Sequence, residues 1–125
     1  MKITTTEIGR GAESAVCDYL RARGVEILQT NIRLGKGEID ILARDGEVVL
    51  IVEVRLRGPG SYGSAFESIT KDKQRRIISA ARILWRTRLS KMEGIDRVRF
   101  DVAAVTMVGA PTNYAIEYVK AAFTE

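Results

Sequence analysis

Two runs of β-branched and aliphatic residues, Ile39-Asp40-Ile41-Leu42-Ala43 and Val48-Val49-Leu50-Ile51-Val52-Glu53-Val54, flank the dipeptide Asp45-Gly46. Such runs suit a pleated, half-buried surface, and Asp-Gly is a strong two-residue turn signal, so the segment is predicted to be a β-hairpin. Each strand carries an acid in its apolar interior. Ionised carboxylates are rarely buried unless paired or bound to a metal, so Asp40 and Glu53 need a partner. With Arg44 facing Glu47 across the turn, Asp40 faces Ile51 and Glu38 faces Glu53, and Glu38, Asp40, Glu53 and Arg55 project from one side. Asp40 and Glu53 are then diagonal neighbours, with Cα atoms about 7–8 Å apart. From there they can share one cation at metal–oxygen distances of about 2.1 Å. A slip of one residue would send them to opposite faces.

The chain of 125 residues is 46% hydrophobic, which suits one globular domain with its own core. No apolar run is long enough for a bilayer, and residues 1–6 lack the apolar centre of a signal peptide, so a cytoplasmic protein is expected. Cys17 stands alone, without a disulfide or thiolate-zinc partner. The absence of His excludes Ser-His-Asp hydrolases, Cys-His proteases, His-ligated zinc enzymes and nucleases with a His base. Carboxylates, Lys, Arg, hydroxyls and a hard metal remain. The net charge of +4, from 20 Lys+Arg against 16 Asp+Glu, is mild for a nucleic-acid binder.

Ile8, Ala12, Ala15, Val16, Tyr19 and Leu20 recur at helical spacing and predict a helix from about Thr6 to Arg23, ended by Gly24. Glu13 lies at the edge of that stripe, either facing solvent or pointing toward the sheet. A short strand from Val25 toward Arg33 precedes the hairpin strands, 37–45 and 47–56. Gly58-Pro59-Gly60-Ser61-Tyr62-Gly63 reads as a loop. A long helix is predicted from Phe66 to about Lys91, started by a Ser64/Glu67 capping box or later by Thr70. Ile77, Ile78, Ala81, Leu84, Trp85 and Leu89 form its inner face. Lys71, Lys73, Arg75, Arg76, Arg82, Arg86, Arg88 and Lys91 crowd the rest, a solvated face or a phosphate-tracking one. Strands from Val98 to Val108 and from Tyr114 to Val119 follow, with a turn at Pro111-Thr112-Asn113. Asp101, a third acid in an apolar strand, reads as a structural carboxylate hydrogen-bonded near Arg99 or a loop. The sum is a single α/β domain, a mixed β-sheet flanked by helices.

An acidic helix residue, then Asp, then Glu-x-basic after twelve intervening residues, on an αβββαβ chain, resembles the PD-(D/E)XK nuclease superfamily and implies a restriction-endonuclease-like core. More closely, the chain resembles the bacterial UPF0102 (YraN) family, related in fold to archaeal Holliday-junction resolvases. The resemblance rests on Gly9-Arg10-Gly11-Ala12-Glu13, Gly24-Val25-Glu26-Ile27-Leu28, Asn31-Ile32-Arg33, Gly37-Glu38-Ile39-Asp40-Ile41, Val52-Glu53-Val54-Arg55, Lys73 with Arg75-Arg76, and Arg99-Phe100-Asp101-Val102. It implies metal-site positions at Glu13, Asp40 and Glu53, with the carbonyl of Val54, and an all-oxygen site that favours Mg²⁺ or Mn²⁺. Arg55 departs from the superfamily motif, which has Lys. A guanidinium clamps phosphate but does not act as a base, so Lys73 or Lys71 become candidates for the missing lysine.

Three readings follow. The first is a Mg²⁺- or Mn²⁺-dependent DNA endonuclease for branched or single-stranded DNA. Asp40, Glu53, Glu13 and Arg55 carry its chemistry, and Arg10, Lys71, Lys73, Arg75, Arg76, Arg82 and Arg86 hold nucleic acid. The second is a nuclease-fold module that binds nucleic acid without cleaving it, as Arg55 suggests. The third is a structural protein whose Asp40 and Glu53 are satisfied by Arg55 or Arg57. The resolvase relationship also admits a homodimer, although no exposed apolar stripe demands one.

Overall fold

The first helix ends where glycine allows it to end. In α1 (Thr5–Arg21) the last carbonyls are closed by Gly24 N–H to Arg21 O at 3.0 Å and Val25 N–H to Leu20 O at 3.1 Å, with Gly24 at φ +82°. That is a Schellman stop, and it turns the chain directly into the sheet. The computed structural model describes residues 5–57, 69–109 and 113–125. The chain continues through β1 (Glu26–Leu34), β2 (Gly37–Asp45), β3 (Val48–Arg57), α2 (Lys71–Thr87), a short 3-10 turn (Leu89–Lys91), β4 (Arg97–Met107) and β5 (Tyr114–Phe123).

The strands lie in the order β1-β2-β3-β4-β5. β3 and β4 are parallel and every other pair is antiparallel, so the sheet is mixed. A parallel pair requires a crossover, and α2 supplies it by packing over one face of the sheet. On that side Ile77, Ala80, Ala81 and Leu84 meet Leu42, Val49, Ile51 and Val102. α1 covers the opposite face with Ala12, Val16, Cys17 and Leu20 against Ile41, Ala43, Leu50, Val52, Ala103 and Val105. The sheet is thus the middle of three layers. Strands covered on both faces read as continuous apolar runs rather than alternating ones, which is what Val48–Val52 and Val102–Val105 show.

The hairpin pairs Asp45 with Val48 and Arg44 with Val49, so its register is displaced by two residues from the expected pairing of Arg44 with Glu47. The loop is Gly46-Glu47, with Gly46 at φ +61°. Glycine at the first of two central positions is the type II′ pattern, whose twist matches the strands. A two-residue displacement returns every side chain to its own face. One step past the last rung, Ile41 opposite Val52, Asp40 and Glu53 stand directly across from one another rather than diagonally.

α2 begins at Lys71, not Phe66. Thr70 is its N-cap and accepts from Lys73 N–H at 3.1 Å. Ser64, Phe66 and Glu67 lie outside the described residues, as do the loop 58–63 and Pro111-Thr112. The buried face of α2 is Gln74, Ile77, Ala80, Ala81 and Leu84, while Ile78 and Trp85 are only half-buried at its flank.

Candidate functional site

Where the β2–β3 ladder stops, a side chain replaces it: Val54 N–H donates to Asp40 Oδ2 at 2.9 Å. Glu53 shares its side of β3 with Val49 and Ile51, in the α2-side core, and is only 4% exposed. The two carboxyl groups adjoin one another and shift each other's titration. Burial first, and then the charge of Asp40, push the Glu53 carboxyl up to about 8. Asp40 is raised too, mainly by burial, against the opposing Val54 N–H. Two adjoining buried carboxyls cannot both ionise cheaply, and the charge of Asp40 disfavours the ionised form of Glu53.

Lys73 faces this pair. Its Nζ lies 3.4 Å from Glu53 Oε1, while Arg55 Nη1 stands at 4.0 Å from the same oxygen. The N-cap fixes this reach, because Thr70 holds the Lys73 backbone in the first turn of α2. The helix N-terminus adds positive potential next to the acids. Of the two lysines considered for the missing position, Lys73 is the one at the site. Lys71 is exposed at the first residue of α2. Arg57 pairs with Glu117 at 3.4 Å.

Glu13 approaches from α1. Asn31 Nδ2 donates to Glu13 Oε1 at 2.7 Å. Partial burial is the main cause that raises the Glu13 carboxyl, and the charges of Asp40 and Glu38 add to it. Asn31 sits at φ +53°, a conformation that non-glycine residues seldom adopt and that concentrates at functional sites. Among the described residues no three acidic, Cys or His side chains form a ready metal cluster. The tight unit is the pair Asp40–Glu53, with Glu13 set back on Asn31. The pair itself fits a hard divalent ion: two adjoining oxygen donors, both disfavoured as anions until a cation arrives.

A cationic groove of about 270 Å³ opens beside the pair, lined by Arg33, Lys36, Glu38, Lys73, Arg76 and Ile77. The turn between β1 and β2 and the start of α2 form its walls. They meet closely because position 37 is glycine: a Cβ there would come within 2.2 Å of the Arg76 carbonyl. Lys73 lines the groove and touches Glu53, so the groove leads to the acids. Arg33 and Lys36 were not among the expected binding residues. Arg33 stands in the motif Asn31-Ile32-Arg33, and the sequence signal for Lys36 is the turn Gly35-Lys36-Gly37 beside the Glu38–Asp40 motif.

The other basic residues divide. Arg76 joins the groove. Arg75 is paired with Asp72, and Arg82 with Glu125. Arg82 and Arg86 border a second groove on the opposite flank of α2. Arg10 is exposed on α1, three residues before Glu13. Asp101, by contrast, is fully buried and fully partnered: Arg99 Nε and Nη2 each donate at 2.8 Å, Tyr118 Oη at 2.6 Å and Ala121 N–H at 2.9 Å.

The family model of the uncharacterised protein family UPF0102 matches residues 12–105, a span holding Glu13, Asp40, Glu53 and Lys73. The UPF0102 protein sce2912 of Sorangium cellulosum is 48% identical over 117 residues, covering 93% of this chain and 80% of the relative. A UPF0102 protein of Hahella chejuensis is 41% identical over 98% of this chain and 94% of its own. The UPF0102 protein YraN of Salmonella newport is 35% identical over 99% and 89%.

Proposed function

The chain belongs to the uncharacterised protein family UPF0102, and we propose that it is a divalent-metal-dependent DNA endonuclease acting on phosphodiester bonds. The observation that carries this reading is the buried Asp40–Glu53 pair with the Lys73 ammonium 3.4 Å from Glu53. Asp40 and Glu53 would hold Mg²⁺ or Mn²⁺, with the Val54 carbonyl beside them. When bound, the ion supplies Lewis acidity toward a phosphoryl oxygen and a more acidic water.

The remaining roles belong to the chain itself. Lys73 stands where an ammonium can orient an attacking water and balance charge growing on the scissile phosphate. Arg55, with its planar fork, suits a phosphate oxygen and not a proton transfer. Thus the lysine that β3 lacks is delivered from α2. Arg33, Lys36 and Arg76 line the path along which the backbone would enter, binding phosphate without reading sequence. Asn31 holds Glu13, set back from the pair. No described helix is long and apolar enough to cross a membrane.

The test is cleavage of branched and single-stranded DNA oligomers in Mn²⁺, comparing wild type with Asp40→Asn, Lys73→Ala and Arg55→Lys. The reading expects cleavage lost in Asp40→Asn, reduced at least about 100-fold in Lys73→Ala, and retained in Arg55→Lys. DNA binding that ignores metal, with no cleavage even for Arg55→Lys, would replace the enzyme with a binding module.

A further inference from the structure

A second groove, of about 580 Å³, lies between the second half of α2, the start of β4 and the end of β5. Its volume suits a small ligand. Ala81, Val98, Phe100 and Phe123 are among its lining residues, and Phe100 and Phe123 stack with centroids 5.0 Å apart to make a stiff wall. Trp85 borders the same groove and is only half-buried. Trp85 also packs against the α2-side core, and an indole offers a stackable π-face and an N–H donor.

The rim is cationic. Arg82, Arg86, Arg97 and Arg99 line it, against Asp96 and Glu125. Arg99 is committed to Asp101. The Arg82–Glu125 and Arg97–Asp96 pairs are more than half exposed on both sides, so they are weakly held and can exchange for a phosphate. Arg86 makes no ion pair among the described residues. A planar aromatic surface beside guanidinium forks matches one ligand chemistry, a base with its phosphate.

We infer that this groove binds a nucleotide of a single-stranded segment, its base stacked on Trp85 and its phosphate held by Arg86 and Arg97. The inference rests on the nucleic-acid reading above and extends it to a second site. Lys73 and Trp85 are separated by about 18 Å along the helix axis. Lys71, Arg75, Arg82 and Arg86 mark the solvent face of α2 between the two grooves. A strand leaving the acid pair would therefore cross α2 and lodge a base on its far flank.

Trp85 is the only tryptophan of the chain, so its emission reports on this groove alone. The experiment titrates a dT oligomer of twelve residues in EDTA, following Trp85 fluorescence and, with an end-labelled copy, anisotropy. The expected result is saturable quenching with the same midpoint as the anisotropy. A sugar-phosphate oligomer of equal length without bases should bind about tenfold more weakly and leave the emission unchanged. Arg86→Ala, an exposed position whose loss leaves the core intact, should weaken dT binding about tenfold. Rising anisotropy with unmoved Trp85 emission overturns this inference and leaves the DNA reading standing. Flat anisotropy in EDTA overturns this inference, and the DNA reading is then decided by cleavage in Mn²⁺. Quenching that follows protein concentration without DNA assigns the groove to a second copy of the chain and overturns it as well.

Discussion

Two acids lie inside the same sheet, one strand apart, and meet opposite fates. Asp101 on β4 is completely buried and takes a bidentate guanidinium, a phenol and a backbone N–H. Glu53 on β3 is nearly as buried, yet its neighbours are another carboxyl, an ammonium at 3.4 Å and a guanidinium at 4.0 Å. Burial alone therefore does not say what an acid is for. The partners differ: Asp101 is held by hydrogen-bond donors alone, whereas Glu53 adjoins a second acid, Asp40, and faces the Lys73 ammonium and the more distant Arg55 guanidinium. The network around Asp101 also holds Ala121 at φ +51° beside a bulge in β5, strain that a purely structural anchor explains.

The largest effect should come from breaking the saturated site. Asp101→Asn strands the partly buried Arg99 guanidinium and is expected to cost about 3 kcal/mol or more in urea unfolding at pH 7. A cost below about 1 kcal/mol would erase the contrast. Glu53→Gln should act with the opposite sign. It removes one of two buried, adjoining acids, so without metal at pH 8 it should stabilise the protein by on the order of 1 kcal/mol. A large fall in melting temperature would make Glu53 structural like Asp101.

The same pair predicts a pH profile for the wild type. Glu53 binds its proton more tightly folded, at about 8, than unfolded, at 4.5. Its contribution to metal-free stability is therefore full below that unfolded value and is lost as pH rises through about 8. Thermal melts in EDTA from pH 5 to 9 should show this decline, and Glu53→Gln should flatten it. A profile rising over that interval would contradict the assignment.

Smaller effects sharpen how the site is held. Thr70→Ala removes the α2 cap and should cost about 1 kcal/mol in denaturant unfolding. It should also weaken Mn²⁺-dependent cleavage more than that loss explains, because Lys73 is no longer fixed. Asn31→Gly suits the positive φ and should change stability by less than about 0.5 kcal/mol. By deleting the hydrogen bond to Glu13 it should still lower Mn²⁺-supported turnover. Unaltered turnover would remove Glu13 from the site.

Much of the fold was legible because its signals are local. Helical periodicity located α1, Gly24 its end, and the continuous apolar runs the central strands. The hairpin register differs from that of an Asp45-Gly46 loop because Gly46 at the first central position selects Gly46-Glu47. The acids kept their common side only because the displacement was even. The role of Asp101 was readable from Arg99 two residues earlier, but Tyr118 and Ala121 come from β5, at a distance no spacing encodes. Lys73 shows the same limit. Its presence on α2 was visible, but its reach to Glu53 depends on the crossover between β3 and β4 and on the Thr70 cap. Arg33 and Lys36 join the groove only because Gly37 lets α2 approach the β1–β2 turn.

The most direct test of the account is calorimetric titration of the metal-free protein with Mn²⁺ at pH 7, for wild type and Asp40→Asn. The account predicts saturable binding by wild type and its loss in a folded Asp40→Asn protein. Mn²⁺ binding of equal strength in both, or none in wild type, would contradict a metal site built on the Asp40–Glu53 pair.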